Sequence, residues 1–270
     1  MAAVAAAAVV AVLVSLAAVL ASWLIGWLYR PGSPSLQPLL SPTDRVLLVI
    51  AHPDDESMFF APTVLSLREA HIPVFILCLS TGNADGHGST RQRELLQACK
   101  KLNVPKENVE VIDDPQLQDG LKTVWPEQVI QKQVHLCAVN NNVNKVITFD
   151  EKGISSHPNH ISAFHGVRAY YAWRSRVSSV QNDAVISSLP PLTVFTLETT
   201  SLVRKYMGFL DVFASRVYAQ RSRMCLLVVN PQPSKGMLAM MQHRSQLVWY
   251  RWLFIVLSRY TYMNTLKTNE

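Results

Sequence analysis

A cluster of three acids and a histidine follows an apolar run near the beginning of the chain. The segment Ala51-His52-Pro53-Asp54-Asp55-Glu56 comes directly after Val46–Ile50. Charged side chains are rarely buried without a partner, because removing their hydration is costly in free energy. His52 and Asp55 are three residues apart, so one tight turn can direct both side chains at a single point. This composition indicates a bound cation, and the alternative interpretation is a solvated turn that caps a helix beginning near Ser57.

A second cluster of possible ligands lies further along the chain, where His157-Pro158-Asn159-His160 follows the apolar run Lys145–Asp150. A lone histidine is more often an ordinary core or surface residue than a ligand, but two clusters at two strand ends are difficult to explain in that way. Two histidines and one carboxylate, with a water in the remaining position, form the open site of a catalytic zinc. Magnesium prefers oxygen ligands and retains its waters, so the sequence predicts Zn²⁺, with another divalent metal as the alternative.

The elements that must position these clusters alternate between strands and helices. Short apolar runs without alternation predict strands that are buried on both faces. The predicted strands are Val46–Ile50, Val74–Leu79, Val109–Ile112, Lys145–Asp150, Leu192–Leu197 and Met224–Val229. The predicted helices are Ser57–Ala70, Thr90–Leu102, Glu127–Val139, Asn159–Trp173 and Leu202–Phe213, with a surface loop over Ser175–Ser188. This order predicts an α/β fold, a Rossmann-like three-layer α/β/α arrangement with a mostly parallel sheet.

The beginning of the chain is apolar enough to cross a membrane. Residues 2–29 contain no charged side chain, and a helix of about 20 such residues spans a hydrocarbon core. A secretory signal has a basic start and an apolar core of roughly 7–15 residues, so residues 1–29 are predicted to be an uncleaved transmembrane signal anchor. Arg30 and Arg45 lie on its downstream side, which predicts that the body of the protein faces the cytoplasm.

The rest of the chain is predicted to contain one catalytic domain and an unusual C-terminal segment. Residues 30–44 are rich in proline and form a linker, and residues 45–245 have the length of a single domain. Residues 246–270 mix aromatic side chains with arginine and predict a helix, which either docks on a membrane interface or packs on the domain. The net charge of +6 fits an anionic membrane surface, since the sequence contains no nucleic-acid-binding module.

The two clusters together resemble those of a known family of metal enzymes. Ala51–Glu56 followed by His157-x-x-His160 is similar to the motifs of the LmbE-like zinc de-N-acetylases, and more closely to those of their eukaryotic PIG-L branch. The resemblance extends to four further segments, Met58–Thr63, Arg91–Leu96, Val146–Asp150 and His243–Leu247. It implies the LmbE-like fold and the reaction of the family, which is hydrolysis of an acetamide on an amino sugar.

The resemblance implies a metal centre and a proton carrier. His52, Asp55 and His160 would bind the zinc, which would activate a water and polarise the acetamide carbonyl. Asp54 would act as the general base on that water and later protonate the leaving amine. His157 would lie near the metal without binding it and would stabilise the tetrahedral oxyanion.

Four more residues receive supporting roles from the resemblance. Arg91 and Asp119 would bind the substrate, although an ion pair with Glu94 one helical turn away is an alternative role for Arg91. Glu56 and Asn159 would orient metal ligands without contacting the metal. Asn159 stands where many relatives carry Asp, so any orientation there would come from a neutral amide.

The expected function is zinc-dependent removal of the acetyl group from N-acetylglucosaminyl-phosphatidylinositol, the second step of GPI-anchor biosynthesis. The expected location is the endoplasmic reticulum membrane, with a single span and the catalytic domain facing the cytoplasm. The glycolipid and the membrane are the expected partners, nucleic acid is not, and protein partners stay open. One alternative is a deacetylase of another GlcNAc conjugate. The other is a catalytically idle membrane interaction subunit, although such a subunit has no physical need for the complete set of site residues.

Overall fold

A seven-stranded sheet forms the centre of the computed structural model, which describes residues 40–180, 190–221 and 225–269. The strands are β1 (Val46–Ile50), β2 (Val74–Cys78), β3 (Val109–Val111), β4 (Lys145–Phe149), β5 (Thr193–Leu197), β6 (Cys225–Val229) and β7 (Met263–Asn269). Their order in the sheet is β3-β2-β1-β4-β5-β7-β6. The pairs that include β7 are antiparallel and all the others are parallel.

Helices of different lengths connect the strands. They are α1 (Asp55–Met58), α2 (Ala61–Glu69), α3 (Gly88–Lys101), α4 (Glu127–Asn140), α5 (Gly153–Ser156), α6 (Pro158–Val180), α7 (Leu202–Lys205), α8 (Asp211–Arg221), α9 (Pro233–Met240), α10 (Trp249–Leu257) and α11 (Arg259–Tyr262). Short 3-10 turns lie at Lys106–Asn108, Gly208–Leu210 and Arg244–Gln246. In packing, α4 lies on α6, α6 contacts β1 and β4, and α2 contacts β2, β6 and β7. The result is the predicted three-layer α/β fold with a mostly parallel sheet.

The order of the strands determines where a ligand can bind. From β1 the chain moves outward through β2 and β3, and it then returns to the other side of β1 to form β4 and β5. The connections therefore diverge between β1 and β4, which are neighbours with Val46 paired to Lys145. In open α/β sheets ligands bind outside the carboxyl ends of the strands at such a point. Every side chain of β1 and β2 is buried, as the absence of alternation predicted.

Three predicted segments differ in the structure. The helix predicted over Ser57–Ala70 is divided at Phe59–Phe60 into α1 and α2, and Pro62 lies in the first turn of α2, where its missing N–H costs no hydrogen bond. The helix predicted over Leu202–Phe213 is divided into α7, a 3-10 turn and the beginning of α8. The first part of the loop predicted over Ser175–Ser188 is helical, because α6 continues to Val180, and the rest of that prediction lies outside the described residues.

The C-terminal helix predicted over 246–270 is wrong in its second half. A nine-residue helix, α10, and the short α11 are followed by β7, which pairs with both β5 and β6. The β7 side chains Asn264 and Thr265 are fully buried. Asn264 accepts hydrogen bonds from the backbone N–H and the hydroxyl of Thr63 and donates one to the carbonyl of Phe59. Hydropathy alone does not identify a buried strand whose polar residues are satisfied in this way.

The predicted segments that precede the domain are only partly described. Residues 40–44, the end of the predicted linker, pack on the domain: Leu40 is buried in the core and Asp44 accepts a 2.6 Å hydrogen bond from Asn144. The predicted signal anchor 1–29 lies outside the described residues. Among the helices of residues 40–180, 190–221 and 225–269, none has the length and apolar composition needed to cross a bilayer.

Candidate active site

A cavity of about 760 Å³ opens at the carboxyl ends of β1 and β4 and contains most of the predicted site residues. Its inner part is lined by His52, Asp54, Asp55, Arg91, Asp119, His157 and His160. The predicted residues Glu56 and Asn159 are fully buried beside it. Its size is in the range of pockets that enclose most of a small ligand.

The turn after β1 holds Asp55 between two backbone donors. Asp55 Oδ2 accepts hydrogen bonds from the backbone N–H of Ala51 at 3.0 Å and of His52 at 2.8 Å. Burial alone raises the pKa of Asp55, but the charges of His160 and His52 and their hydrogen bonds hold it well below its usual range. Asp55 is therefore an ionised, buried carboxylate, and such a group requires cationic partners.

The hydrogen bonds of His52 direct one of its ring nitrogens toward Asp55. Its Nε2 lies 3.1 Å from Asp119 Oδ1 and 3.0 Å from Asn159 Oδ1, so Nε2 carries the proton. Asn159 Oδ1 is identified as the oxygen because the amide nitrogen donates to the carbonyl of Thr123. The other nitrogen, Nδ1, lies 3.8 Å from Asp55 Oδ2. Burial lowers the pKa of His52, but the bond to Asp119 and the nearby carboxylates produce a net rise.

His160 is oriented by the loop after β4 in the same manner. Its Nδ1 donates to the carbonyl of Gly153 at 3.1 Å, which leaves Nε2 facing Asp55 Oδ1 at 3.3 Å. The ring stacks on Phe149, the last residue of β4, with centroids 4.0 Å apart. Gly153 has φ +57°, and a Cβ at that position would lie 2.9 Å from the Cβ of His160. Only glycine combines this backbone conformation with such a close approach.

His157 is close to both of these histidines, and its hydrogen bond gives it a different role. The ligand atoms of His52, His157 and His160 lie within 4.8 Å of one another. However, Nδ1 of His157 accepts the backbone N–H of Asn159 at 3.3 Å, so the proton of the neutral ring is on Nε2. Burial and the charges of the other two histidines lower the pKa of His157 to about 4. At neutral pH it is therefore a neutral N–H donor.

These donors fit a divalent metal. In their neutral forms His52 and His160 keep their protons on the nitrogens that face oxygen acceptors, so His52 Nδ1 and His160 Nε2 each present a lone pair on the side of the Asp55 carboxylate. Proteins fix the ring orientation of metal-binding histidines with such oxygen partners. Asp119 and Asn159 serve His52 in this way. For Asp119 this contact comes in addition to the predicted substrate role, which stays a prediction. The set of two imidazoles and one carboxylate matches an open metal site.

Asp54 is held in a strained backbone conformation beside two arginines. Its φ is +128°, which is unfavourable for a residue with a side chain, and its backbone N–H donates to Glu56 Oε2 at 3.1 Å. Its Oδ2 forms ion pairs with Arg91, at 3.5 Å, and with Arg251 of α10.

Arg91 connects the loops around the cavity. Its guanidinium donates to the carbonyls of Gly82 and Pro53, both at 2.9 Å, and to Asp119 Oδ2 at 3.3 Å. Its predicted alternative partner, Glu94, instead accepts hydrogen bonds from the backbone and hydroxyl of Ser245. Arg91 therefore belongs to the site and lines the cavity.

Two residues that the sequence analysis did not assign to the site contribute to it. Arg251 was predicted only as part of the C-terminal helix, which was expected either to dock on a membrane interface or to pack on the domain, and His243 only as part of a family-like segment. His243 Nε2 lies 2.7 Å from Glu56 Oε1, and both side chains are fully buried. Because Glu56 also holds the backbone of Asp54, this pair fixes the turn that carries the acids. The one sequence feature that could have pointed to His243 was its place in the family-like segment His243–Leu247.

Comparisons with known proteins agree with this arrangement. The family model described as PIG-L, GlcNAc-PI de-N-acetylase, matches residues 47–171. The chain is 39% identical over 229 residues to a probable N-acetylglucosaminyl-phosphatidylinositol de-N-acetylase from Schizosaccharomyces pombe. The alignment covers 83% of this chain and 86% of the relative. It is 35% identical over 245 residues to the N-acetylglucosaminyl-phosphatidylinositol de-N-acetylase of Bos taurus, with 90% and 91% covered.

A solved structure has the same fold. The N,N'-diacetylchitobiose deacetylase from Pyrococcus horikoshii, complexed with its inhibitor, is similar with a TM-score of 0.59 over 84% of each chain. Its sequence identity of 16% means that this similarity shows the fold alone. The sequence matches, in contrast, confirm the resemblance that the two motif clusters indicated.

Proposed function

The chain belongs to the PIG-L family of GlcNAc-PI de-N-acetylases, and we propose that it deacetylates N-acetylglucosaminyl-phosphatidylinositol. Water adds to the acetyl carbon, the C–N bond of the acetamide breaks, and the amine gains a proton. The products are acetate and glucosaminyl-phosphatidylinositol, which is the second step of GPI-anchor biosynthesis. The observation that carries the proposal is the convergence of His52 Nδ1 and His160 Nε2 on the Asp55 carboxylate, with Asp54 next to it.

The proposed cofactor is a zinc ion held by His52, Asp55 and His160. Two neutral nitrogens, one carboxylate and an open position are a donor set that zinc enzymes use and that magnesium does not favour. The chemistry that zinc supplies when bound is a lowered pKa for a water and polarisation of the acetamide carbonyl. Asp119 and Asn159 hold the proton of His52 on Nε2, and Gly153 holds that of His160 on Nδ1, so both ligands keep the correct tautomer.

Asp54 and His157 carry out the proton transfer and the charge stabilisation. The ion pairs of Arg91 and Arg251 with Asp54 are formed at its Oδ2, so we assign Oδ1 as the atom that takes the proton of the attacking water. The same carboxyl later delivers this proton to the amine. His157 keeps its proton on Nε2 and donates it as a hydrogen bond to the oxyanion that develops on the acetyl carbonyl. Arg91 and Asp119, which line the cavity together, bind the sugar hydroxyls.

An apolar surface at the mouth of the cavity fits a substrate that stays in a membrane. We call it the apolar rim; it consists of Leu202, Val203, Tyr206, Phe209, Leu210, Trp249, Leu253, Val256 and Leu257, all of them exposed. Tyr206, Trp249, Leu253 and Leu257 also line the cavity. Contiguous exposed apolar patches mark interaction surfaces, and aromatic side chains next to arginine suit the membrane interface.

In this proposal the enzyme acts on the cytoplasmic side of the endoplasmic reticulum membrane. Residues 1–29 supply the single span, and the apolar rim turns the mouth of the cavity toward the lipid head groups. The span would confine the enzyme to the membrane that contains the substrate. Linkage to the same surface raises the effective concentration of the substrate.

Product analysis on the purified full-length chain tests the proposal. The protein, with its metal content measured, is incubated with N-acetylglucosaminyl-phosphatidylinositol in vesicles, and acetate and glucosaminyl-phosphatidylinositol are quantified by mass spectrometry. We expect release of both in equal amounts, loss after chelation and recovery with zinc. Preferential deacetylation of a GlcNAc conjugate without inositol would indicate the alternative deacetylase. No release from any substrate by the zinc-loaded chain would indicate an idle subunit.

A further inference from the structure

Three cationic side chains line the cavity besides its histidines, and two of them already hold carboxylates. Arg91 contacts Asp54 and Asp119, and Arg251 contacts Asp54. The third is Lys205, the last residue of α7. Within residues 40–180, 190–221 and 225–269, no carboxylate lies within 4.0 Å of its ammonium group. The cavity therefore contains one cation that is not used by the metal site.

The surroundings of Lys205 make an anionic ligand favourable. The side chain is half-buried, and its Nζ lies 5.7 Å from the centroid of the Phe254 ring. This is close to the limit of about 6 Å for a cation–π contact, so the ring compensates only part of the lost hydration. Burial accordingly lowers the pKa of the ammonium group. A buried cation that lacks an acid gains most from a ligand that brings a negative charge.

Lys205 lines the same cavity as the candidate metal ligands His52, Asp55 and His160. A chain of ring contacts connects His160 to Lys205: His160 to Phe59, Phe59 to Phe254, and Phe254 to the Lys205 ammonium, each with a separation of 5.7 Å. The ammonium group is therefore three contacts away from the candidate metal ligand His160, and its chain neighbour Tyr206 belongs to the apolar rim.

The proposed substrate carries a negative charge between its acetamide and its acyl chains. Its acetamide must reach His52 and His160, and its acyl chains must stay in the bilayer at the rim. Between them lies the inositol ring with the phosphodiester that joins it to the lipid. We propose that Lys205 binds this phosphodiester and thereby selects phosphate-bearing glycolipids over neutral GlcNAc conjugates. This inference rests on the proposed function and adds a determinant of its specificity.

A binding experiment tests the inference without turnover. Glycerophosphoinositol, which carries inositol and a phosphodiester but no acetamide, is titrated into the full-length wild-type chain and into the Lys205→Met, Lys205→Arg and Lys132→Met variants by calorimetry. Lys132 is an exposed lysine of α4 and serves as the matched control. We expect roughly tenfold weaker binding for Lys205→Met, as for the loss of one charged hydrogen bond. Lys205→Arg should restore most of the affinity, and Lys132→Met should change nothing.

A kinetic comparison measures the same effect on the reaction. Short-chain N-acetylglucosaminyl-phosphatidylinositol is compared with N-acetylglucosaminyl-inositol, which lacks the phosphodiester. The ratio of kcat/KM for the two substrates should fall by roughly tenfold in Lys205→Met, through KM rather than kcat. An equal loss on both substrates would indicate a structural role for Lys205 and would overturn the inference.

The remaining outcomes are equally distinct. Unchanged binding of glycerophosphoinositol to Lys205→Met would also overturn the inference. Binding of inorganic phosphate with equal affinity and equal dependence on Lys205 would indicate a site for free anions and would contradict the lipid assignment. Lys205-dependent binding of glycerophosphoinositol, with no acetate released by the wild-type chain, would support the phosphodiester site and contradict only the proposed function.

Discussion

At the scale of single residues, hydrogen bonds determine which histidines can bind a metal. The ligand atoms of His52, His157 and His160 all lie within 4.8 Å of one another, so distance alone does not separate ligands from neighbours. The separation comes from the second nitrogen of each ring. His52 and His160 donate from one nitrogen to an oxygen and direct the other at Asp55, whereas Nδ1 of His157 accepts a backbone N–H. This difference leads to a first prediction.

Replacing His52, Asp55 or His160 by Ala should remove stoichiometric zinc, because each supplies a donor to the same point. Replacing His157 by Ala should leave the metal in place and slow deacetylation by roughly 10²–10³-fold, the usual effect of removing one oxyanion donor. Metal content by mass spectrometry and steady-state rates measure the two effects separately. Loss of zinc from His157→Ala would make His157 a ligand and would require a different assignment for Asp55.

Asp54 provides a second prediction. Asp54→Asn preserves the shape of the side chain, and the amide oxygen can still accept hydrogen bonds from Arg91 and Arg251, but the amide carries no charge and cannot accept the proton of water. We expect zinc to be retained and kcat to fall by roughly 10²–10⁴-fold, as for loss of a general base. Asp85→Asn is the matched control, since Asp85 lines the same cavity and takes no part in the proposed mechanism. Full activity in Asp54→Asn would remove the general-base assignment.

The sequence allows some of these residues to be predicted and not others. His52 and Asp55 follow one strand directly, and His160 follows its neighbour, so strand adjacency brings them together without any knowledge of the tertiary structure. Arg251 contacts Asp54 across 197 residues of sequence and His243 contacts Glu56 across 187. Such contacts depend on how the C-terminal segment packs on α1, which no local pattern encodes.

At the scale of elements, the loop between β4 and α6 positions His160 through its backbone. Asp150 accepts hydrogen bonds from the backbone and hydroxyl of Thr199, both at 2.6 Å, and from the backbone N–H of Gly153 at 3.1 Å. These bonds fix the carbonyl of Gly153 where it meets His160 Nδ1. The metal site therefore depends on a loop whose own anchors lie at the end of β5.

Gly153→Ala should weaken zinc binding by roughly 10- to 100-fold, as other changes to the partners of metal ligands do. The new Cβ would meet His160 at 2.9 Å and push the ligand away. Gly86→Ala is the matched control, because Gly86 has a similar φ of +75° but open space around it. Both variants should lose about 1 kcal/mol of stability from backbone strain. Equal zinc affinity in the two variants would contradict the steric argument.

The strands of the sheet were predictable except for the last. β1 and β4 are apolar runs followed by the candidate site residues, and β2, β5 and β6 have the same apolar composition. β7 has the sequence Met-Asn-Thr-Leu-Lys-Thr-Asn and follows an aromatic segment with a helical pattern. It is a strand because β5 and β6 offer edges that its backbone joins. Tertiary pairing of this kind overrides local propensity.

At the scale of the whole molecule, the reacting groups and the apolar rim belong to the same cavity. The proposed metal ligands come from the carboxyl ends of β1 and β4, and the rim comes from α7, the following turn and α10. Arg251 connects these parts, because α10 presents it to Asp54 while Trp249 and Leu253 of the same helix are exposed. Arg204 and Arg259 both bind Asp211 and hold α7 and α11 on α8 beneath the rim. The rim is thus a fixed surface around the entrance.

The last prediction tests whether this surface brings the catalytic site to the lipid. Val203 and Phe209 belong to the apolar rim but do not line the cavity. Burial of each such side chain is worth about 1.5–3 kcal/mol, so Val203→Ser with Phe209→Ser should reduce hydrolysis of the glycolipid in vesicles by roughly tenfold or more. Hydrolysis of N-acetylglucosaminyl-inositol in solution should be unchanged, because the substitutions are away from the reacting groups. Leu136→Ser, at an exposed position of α4, is the control for added surface polarity and should alter neither rate. Equal losses on both substrates would mean that the rim supports the fold, and equal activity on vesicles would mean that it does not contact the membrane.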